Sequence, residues 1–373
     1  MRLGWRHRRE RAQERFMTQV LAGVVPGIID THIHQWDPFT TPREASKLAP
    51  LYKRAPKLLD RVAPIILAKG VWQMVRTAQY AAQPYLPVDY AADVAGTVET
   101  VGVPVQSAVH VQCGWHSDDQ SEETAWLDGL PFGKGGNPGL AAIVGTDDPR
   151  DPDFATMLDR HAAASSRFRG IRFMTTWHPD KHVLNWIDEP GVMTSPAFLK
   201  GFAHLAERGL TYDAYVYSDQ IHEVAALAKE YPDATIVLDH FAPPVGVLGP
   251  MGRATGRDAA ARADMLARWK DNLALLSEHT NVVAKHSGLA FPMLGWSERV
   301  SGDEVAEKVA PLVQHQTEVF GEDRLMWGSN YPMDKAICPY PEIVRALADL
   351  LAPAGPDLLR KVFRDNAIRV YNL

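Results

Sequence analysis

Apolar residues along the chain gather in eight short runs: "GIIDTHIH", "VPVQSAVHVQC", "GLAAIVGTDD", "FRGIRFM", "LTYDAYVYSD", "ATIVLDH", "NVVAKHSG" and "RLMWGSN". Most are apolar on both faces, as strands buried between two layers are. Between them lie "SPAFLKGFAHLAERG", "SDQIHEVAALAKEYP" and "GDEVAEKVAPLVQHQTEVFG", helical patterns with Ser or Asp near the start and Gly or Pro near the end. Eight alternations of strand and helix predict the α/β class and a (β/α)8 TIM barrel; a doubly wound parallel sheet is the alternative. Residues 38–90, rich in Pro, Lys and Tyr, and residues 241–270, rich in Gly, Arg and Ala, form long excursions after the first and sixth strands. Both leave from strand C-termini, the face where barrel sites assemble, so both are expected to cover a site. Residues 27–373 read as one domain, and residues 1–26 as a partly disordered N-terminal extension.

The end of the first run carries an H-x-H pair. Alternate residues of a strand share a face, which projects His32 and His34 together, with Asp30 one step deeper and Ile29, Thr31 and Ile33 facing away. Paired imidazoles suit a metal or a polarised carbonyl oxygen; the plainer reading is two polar residues at a strand end. Other strand ends supply company. His110 shares a parity with Gln106 and Gln112, Arg172 stands between Ile171 and Phe173, and Asp213, Tyr215, Tyr217 and Asp219 alternate along the fifth run. The sixth run ends in Asp239 and His240, the seventh offers Lys285 or His286 with Ser287, and the eighth ends at Asn330. Each has an ordinary explanation by itself, yet so polar a cluster is costly to bury unless paired, metal-bound or used.

Composition narrows the partners. The net charge is -6 with signs interspersed and 46% of residues are hydrophobic. No basic stripe for nucleic acid and no apolar run of membrane length is seen, which points to a small-molecule substrate and leaves a homo-oligomer open. Cys113 and Cys338 are too few for a disulfide framework and fit a cytoplasmic protein. The opening "MRLGWRHRRERAQERF" lacks the apolar segment and cleavage site of a secretory signal and reads as a solvated extension. Met17 stands close to the first strand as an alternative start.

The segments "IDTHIHQWDP", "VHVQ", "RGIRF", "VLDHFAPP", "VVAKHSGL", "RLMWGSNYP" and "DNAIRVYNL", in this order, resemble the amidohydrolase-2 branch of the amidohydrolase superfamily. That branch includes pyrone-dicarboxylate lactonase, fucono-lactonase and sulfomuconolactone hydrolase. The resemblance covers residues 27–373 and implies a barrel with His32, His34 and His240 at the reaction centre. They would either bind one divalent ion, zinc or manganese, or, without metal, hydrogen-bond the substrate carbonyl.

Two departures from the family pattern stand out. Where the family frequently carries Asp at the end of strand eight, this chain has Asn330, which cannot ionise. Where a fifth-strand His is expected, Asp219 is the leading substitute as ligand or base, with Asp334 second. The resulting expectation is an ester hydrolase that opens a lactone, with His32, His34, His240, Asp219 and Asn330 at the reaction centre. His110, Arg172, Tyr217, Trp36, Trp177 and Tyr331 would contact a bulky or partly apolar substrate. A metal-dependent decarboxylase and a silent binding barrel are the alternatives.

Overall fold

The computed structural model describes residues 19–47 and 49–373. Residues 1–18, most of the expected extension, lie outside the described residues. Residues 19–26 form turns, with Leu21 and Val25 buried in the main core and Leu21 N–H donating to Val101 O at 3.0 Å.

Eight parallel strands follow one another round the sheet in chain order: β1 (Ile28–Ile33), β2 (Val105–Val111), β3 (Gly139–Gly145), β4 (Phe168–Ile171), β5 (Thr211–Ala214), β6 (Ile236–Leu238), β7 (Val282–Ser287) and β8 (Leu325–Gly328). The ends of β1 and β8 meet, with Asn330 N–H donating to His32 O and His34 N–H to Tyr331 O, both at 2.8 Å. The (β/α)8 barrel is therefore the fold.

Two cores explain why the strands are apolar on both faces. Ile29, Val109, Val111, Ala142, Val144, Val237, Val283 and Met326 fill the barrel interior, together with Ala367 and Tyr371 of the closing helix Asn366–Tyr371. A larger cluster, including Ile28, Ile33, Leu238 and Trp327, packs the barrel wall against the helices. Asn366 Nδ2 ties that closing helix to Leu325 O, the start of β8, at 2.8 Å, so the helix plugs the N-terminal end.

The excursion after β1 is largely helical, with helices at Ala49–Arg54, Pro56–Ile66, Lys69–Val75, Ala78–Ala82 and Pro87–Val94. The excursion after β6 is a loop only to residue 258. Helix Ala259–Ser277 follows, N-capped by the Asp258 side chain, which accepts from Ala261 N–H at 2.8 Å. Its Trp269, Leu273 and Leu276 are buried, so residues 259–270 of that Gly/Arg/Ala segment belong to a barrel helix.

Candidate active site

The H-x-H pair reaches the interior by a route that simple alternation misses. Between Asp30 and Ile33 the register against β2 slips: Asp30 pairs with Ala108 and Ile33 with His110, so three steps on β1 match two on β2. This β-bulge resets the phase of the strand. Ile29 belongs to the interior, whereas Asp30 points to the helices, accepting from Tyr90 OH at 2.9 Å and Tyr340 OH at 3.0 Å. Asp30 is thus a structural tie on the face opposite to the one the alternation predicts. Beyond the bulge His32 and His34 both turn inward, their ring centroids 5.0 Å apart. Gly328 makes room for them, because a Cβ there would lie 2.8 Å from His32 Cβ.

His240 needs a second device. Val237 faces the interior and Leu238 the helices, so alternation sends Asp239 in and His240 out. The strand ends at Leu238, and His240, Phe241 and Ala242 take left-handed φ values of 52°, 65° and 44°. That run, costly for residues other than glycine, swings the imidazole to within 4.3 Å of the His32 ring, centroid to centroid. Ser287 Oγ holds His240 Nδ1 at 2.8 Å.

Beneath the histidines lies a buried ion cluster. Lys285 Nζ stands 2.5 Å from Asp213 Oδ2 and 3.1 Å from Asp239 Oδ1, while Arg172 Nη1 is 3.5 Å from Asp239 Oδ2. Tyr371 OH also donates to Asp213 Oδ2, at 2.9 Å. Burial works to raise the Asp239 carboxyl, but Lys285 and His32 outweigh it and hold the group well below the usual range. For Asp213 burial wins over Lys285 and pushes it up to about 6. One strong anion therefore sits among the cations.

Donor and acceptor rules then fix the histidine tautomers. Arginine has no acceptor, so Arg172 Nη1, 3.2 Å from His32 Nε2, donates to it; the His32 proton is on Nδ1, directed at Asp239 Oδ1 at 3.3 Å. His34 Nδ1 is 2.7 Å from Val111 O, a pure acceptor, so it carries the proton and the lone pair is on Nε2. That nitrogen lies 3.3 Å from Asn330 Oδ1, and Asn330 Nδ2 donates to Asp334 Oδ1 at 2.8 Å. Asn330 has φ 57°, a left-handed conformation that Asn and Asp tolerate better than most residues. Burial keeps all three imidazoles neutral: it drives His32 and His34 well below their ordinary value and His240 down to about 3. Burial also raises Asp334 well above a normal carboxyl.

His34, His240, Arg172 and Asn330 open onto a cavity with about 830 Å³ of empty space, its mouth included. Of the other residues expected at the site, Trp36 lines it. His32 lies just beneath, with both ring nitrogens engaged. His110 is on the outer face of β2, where its Nε2 accepts from Gln35 N–H at 2.9 Å. Tyr217 and exposed Asp219 belong to a separate groove with His178, and Tyr217 OH donates to Leu184 O at 2.6 Å. Trp177 and Tyr331 stay off the cavity wall; Tyr331 OH is spent on Cys338 O at 2.8 Å. Tyr215, Arg43, Met74, Trp186 and Phe291 complete the wall instead. Tyr215 was signalled by the fifth-strand alternation, but nothing local marks Arg43 or Met74 in the excursion after β1.

The amidohydrolase family model matches residues 29–373. The chain belongs to the amidohydrolase family. It is 30% identical over 346 residues to protein y4mH of Sinorhizobium fredii, covering 93% of this chain and 98% of that one. It is 31% identical over 241 residues to L-fucono-1,5-lactonase of Burkholderia ambifaria, covering 63% of this chain and 71% of that one. A crystal structure of an amidohydrolase from Burkholderia multivorans with bound zinc superposes with TM-score 0.67 at 21% identity, over 93% and 99% of the two chains, a likeness of fold. Among the described residues no helix is long and apolar enough to cross a membrane.

Does this amidohydrolase fit a divalent ion? One candidate ligand group, His32, Asp239 and His240, has its ligand atoms within 4.8 Å of one another. His32 has spent its lone pair on Arg172, however, and Lys285 Nζ is 3.3 Å from His32 Nδ1 and 3.1 Å from Asp239 Oδ1. A resident ammonium thus already stands against two of the three members, His32 and Asp239, and the H-x-H pair offers one free lone pair, on His34. A second group, His110, Cys113 and Glu123, is likewise engaged, His110 by Gln35 N–H and Cys113 by Arg43 at 3.0 Å. Neither set fits a metal as it stands.

Proposed function

We propose that this amidohydrolase opens a lactone by water attack, with its own side chains supplying the base and the positive centre. The observation that carries the reading is the pair of acceptors facing the cavity, His34 Nε2 and Asn330 Oδ1, 3.3 Å apart. One water can donate a proton to each: the imidazole is the base, and the amide, unable to ionise, orients the second O–H. When His34 takes the proton, the new Nε2–H points at Asn330 Oδ1, whose amide already leans on the Asp334 carboxyl at 2.8 Å. The imidazolium is thus received by a network in place before the reaction.

The opposite wall offers donors for a carbonyl oxygen. In this reading Ser287 donates its O–H to His240 Nδ1, which puts the His240 proton on Nε2, and buried Tyr215 OH has no hydrogen-bond partner. Arg172 adds positive charge, with its Nε also unpartnered. Groups so placed favour the oxyanion that develops as water adds to the ester carbonyl. Collapse of that intermediate expels the ring alkoxide, which leaves as a hydroxyl once it takes back the proton from His34. The lactonase-named relatives support the same reaction class.

A panel of aromatic, alkyl and sugar lactones, followed by acid release, tests this. Wild type should open at least one of them, and His34→Gln should lower kcat by roughly a hundredfold or more, the scale of general-base loss. Full turnover by His34→Gln, or no lactone opened across the panel, overturns the reading.

A further inference from the structure

The charges on the cavity wall carry one step more. The wall includes two ionised side chains, Arg43 and Arg172, and no carboxylate. Arg172 is committed: it bonds Gln112 O and His32 Nε2 and lies 3.5 Å from Asp239. Arg43 is not. Its guanidinium lies over the Trp36 ring, 4.8 Å from the centroid, and Nη1 donates to Cys113 Sγ at 3.0 Å. Burial pushes the Cys113 thiol up to about 12, so the sulfur brings no negative charge. Glu123 turns its Oε1 to Cys113 N and Sγ, at 3.2 and 3.4 Å, and no ion pair joins Arg43 to a carboxylate among the described residues. Arg43 Nε is buried without a partner. His34, His240, Asn330 and Tyr215 gather the wall's other polar groups at the reaction centre; much of the rest is apolar, built from Met74, Val75, Met174, Trp186, Phe291 and Met333.

A cation stacked on an aromatic ring at the edge of an apolar cavity, with donors to spare, matches a carboxylate in the plane of its fork. The polar groups of His34, His240, Asn330 and Tyr215 serve the reacting ester, so the further hydroxyls of a polyol would lie against methionine and aromatic carbons, at a desolvation cost for each left unpaired. We infer that Arg43 and Trp36 form a carboxylate-recognition subsite, and that the substrate is a singly anionic lactone with an aromatic or alkyl body rather than a sugar lactone. The lactone part of this statement rests on the function proposed above; the anionic, apolar part rests on the cavity alone.

Two measurements keep these parts distinguishable. The first compares kcat/KM for a carboxylate-bearing dihydrocoumarin, its carboxamide and L-fucono-1,5-lactone. The carboxylate should be preferred over both, and Arg43→Met should shrink the carboxylate-to-carboxamide ratio by roughly 10- to 100-fold, mainly through KM, the scale of a lost hydrogen bond to a charged group. Arg43→Lys, which keeps the charge without the planar fork, should fall between. The second is calorimetric titration with 2-naphthoate and 2-naphthamide, which needs no turnover. Naphthoate should bind more tightly in wild type, and the preference should vanish in Arg43→Met. If that binding pattern holds while no lactone is opened, the subsite stands and the lactonase reading falls. Preference for fucono-lactone, or equal binding of acid and amide, overturns the subsite.

Discussion

Replacing Lys285 by Met removes a buried charge at nearly constant volume. Lys285 and Asp213 are fully buried, and the ammonium touches Asp213 at 2.5 Å and Asp239 at 3.1 Å. Asp239 retains His32 and Arg172, but Asp213 is left with Tyr371 OH as its donor. Stranding one partner of a buried ion pair costs about 3–5 kcal/mol. For a chain of 373 residues, whose unfolding entropy scales with length, that corresponds to a fall in Tm of roughly 4–6 °C. The deficit should depend on pH. Asp213 already has a folded pKa raised to about 6, and losing Lys285 raises it further. A raised carboxyl costs nothing below its unfolded pKa of about 3.9 and costs progressively more as pH climbs through the folded value. Differential scanning at pH 5 and pH 8 should therefore show the larger gap from wild type at pH 8. Lys285→Met/Asp213→Asn, with no stranded charge, should recover much of it. A Tm within 1 °C of wild type, or a gap equal at the two pH values, refutes the reasoning.

Asn330→Asp places a carboxyl 3.3 Å from His34 Nε2 and against Asp334; it should raise the His34 pKa and move the acid limb of the pH–rate profile to higher pH, and superimposable profiles would count against His34 as base. In the wild type, because burial lowers His32, His34 and His240, with His240 at about 3, turnover should show no half-point near the ordinary histidine value of about 6.5. Asp219→Asn, which the sequence alone suggests should cost roughly a hundredfold in turnover, should leave it nearly unchanged, since Asp219 is exposed in a different groove; steady-state kinetics decide. Dialysis against a chelator should leave lactone turnover within about twofold, because the His32 and His110 lone pairs are engaged and Lys285 stands against His32 and Asp239; stoichiometric zinc or manganese on elemental analysis, lost together with activity, would show the assigned tautomers to be wrong.

Much of this molecule is written locally. Eight apolar runs, in order, suffice for the barrel, because burial on two faces and a helical period in between are properties of neighbouring residues. The same local alternation puts Lys285 and Ser287 on one face of the seventh strand, leaving it to the fold to choose that face over the one with His286, and makes the H-x-H pair visible as chemistry. It fails where non-local pairing decides. The bulge on β1 is set by its register with β2, and it lets Asp30 face the helices while His32 and His34 stay inside. His240 stands at an outward parity and is brought in by three consecutive left-handed residues that the surrounding packing has to hold. Asp219 and Tyr215 differ by four positions on one run, yet the strand ends at Ala214, so alternation cannot say which of them reaches the cavity. Arg43 and Met74 come from the excursion after β1, and their place on the wall exists only once that excursion folds over the barrel mouth. Sequence thus determined which groups were available, whereas tertiary structure chose their partners, because tautomer, charge state and reach are fixed by atoms distant in the chain.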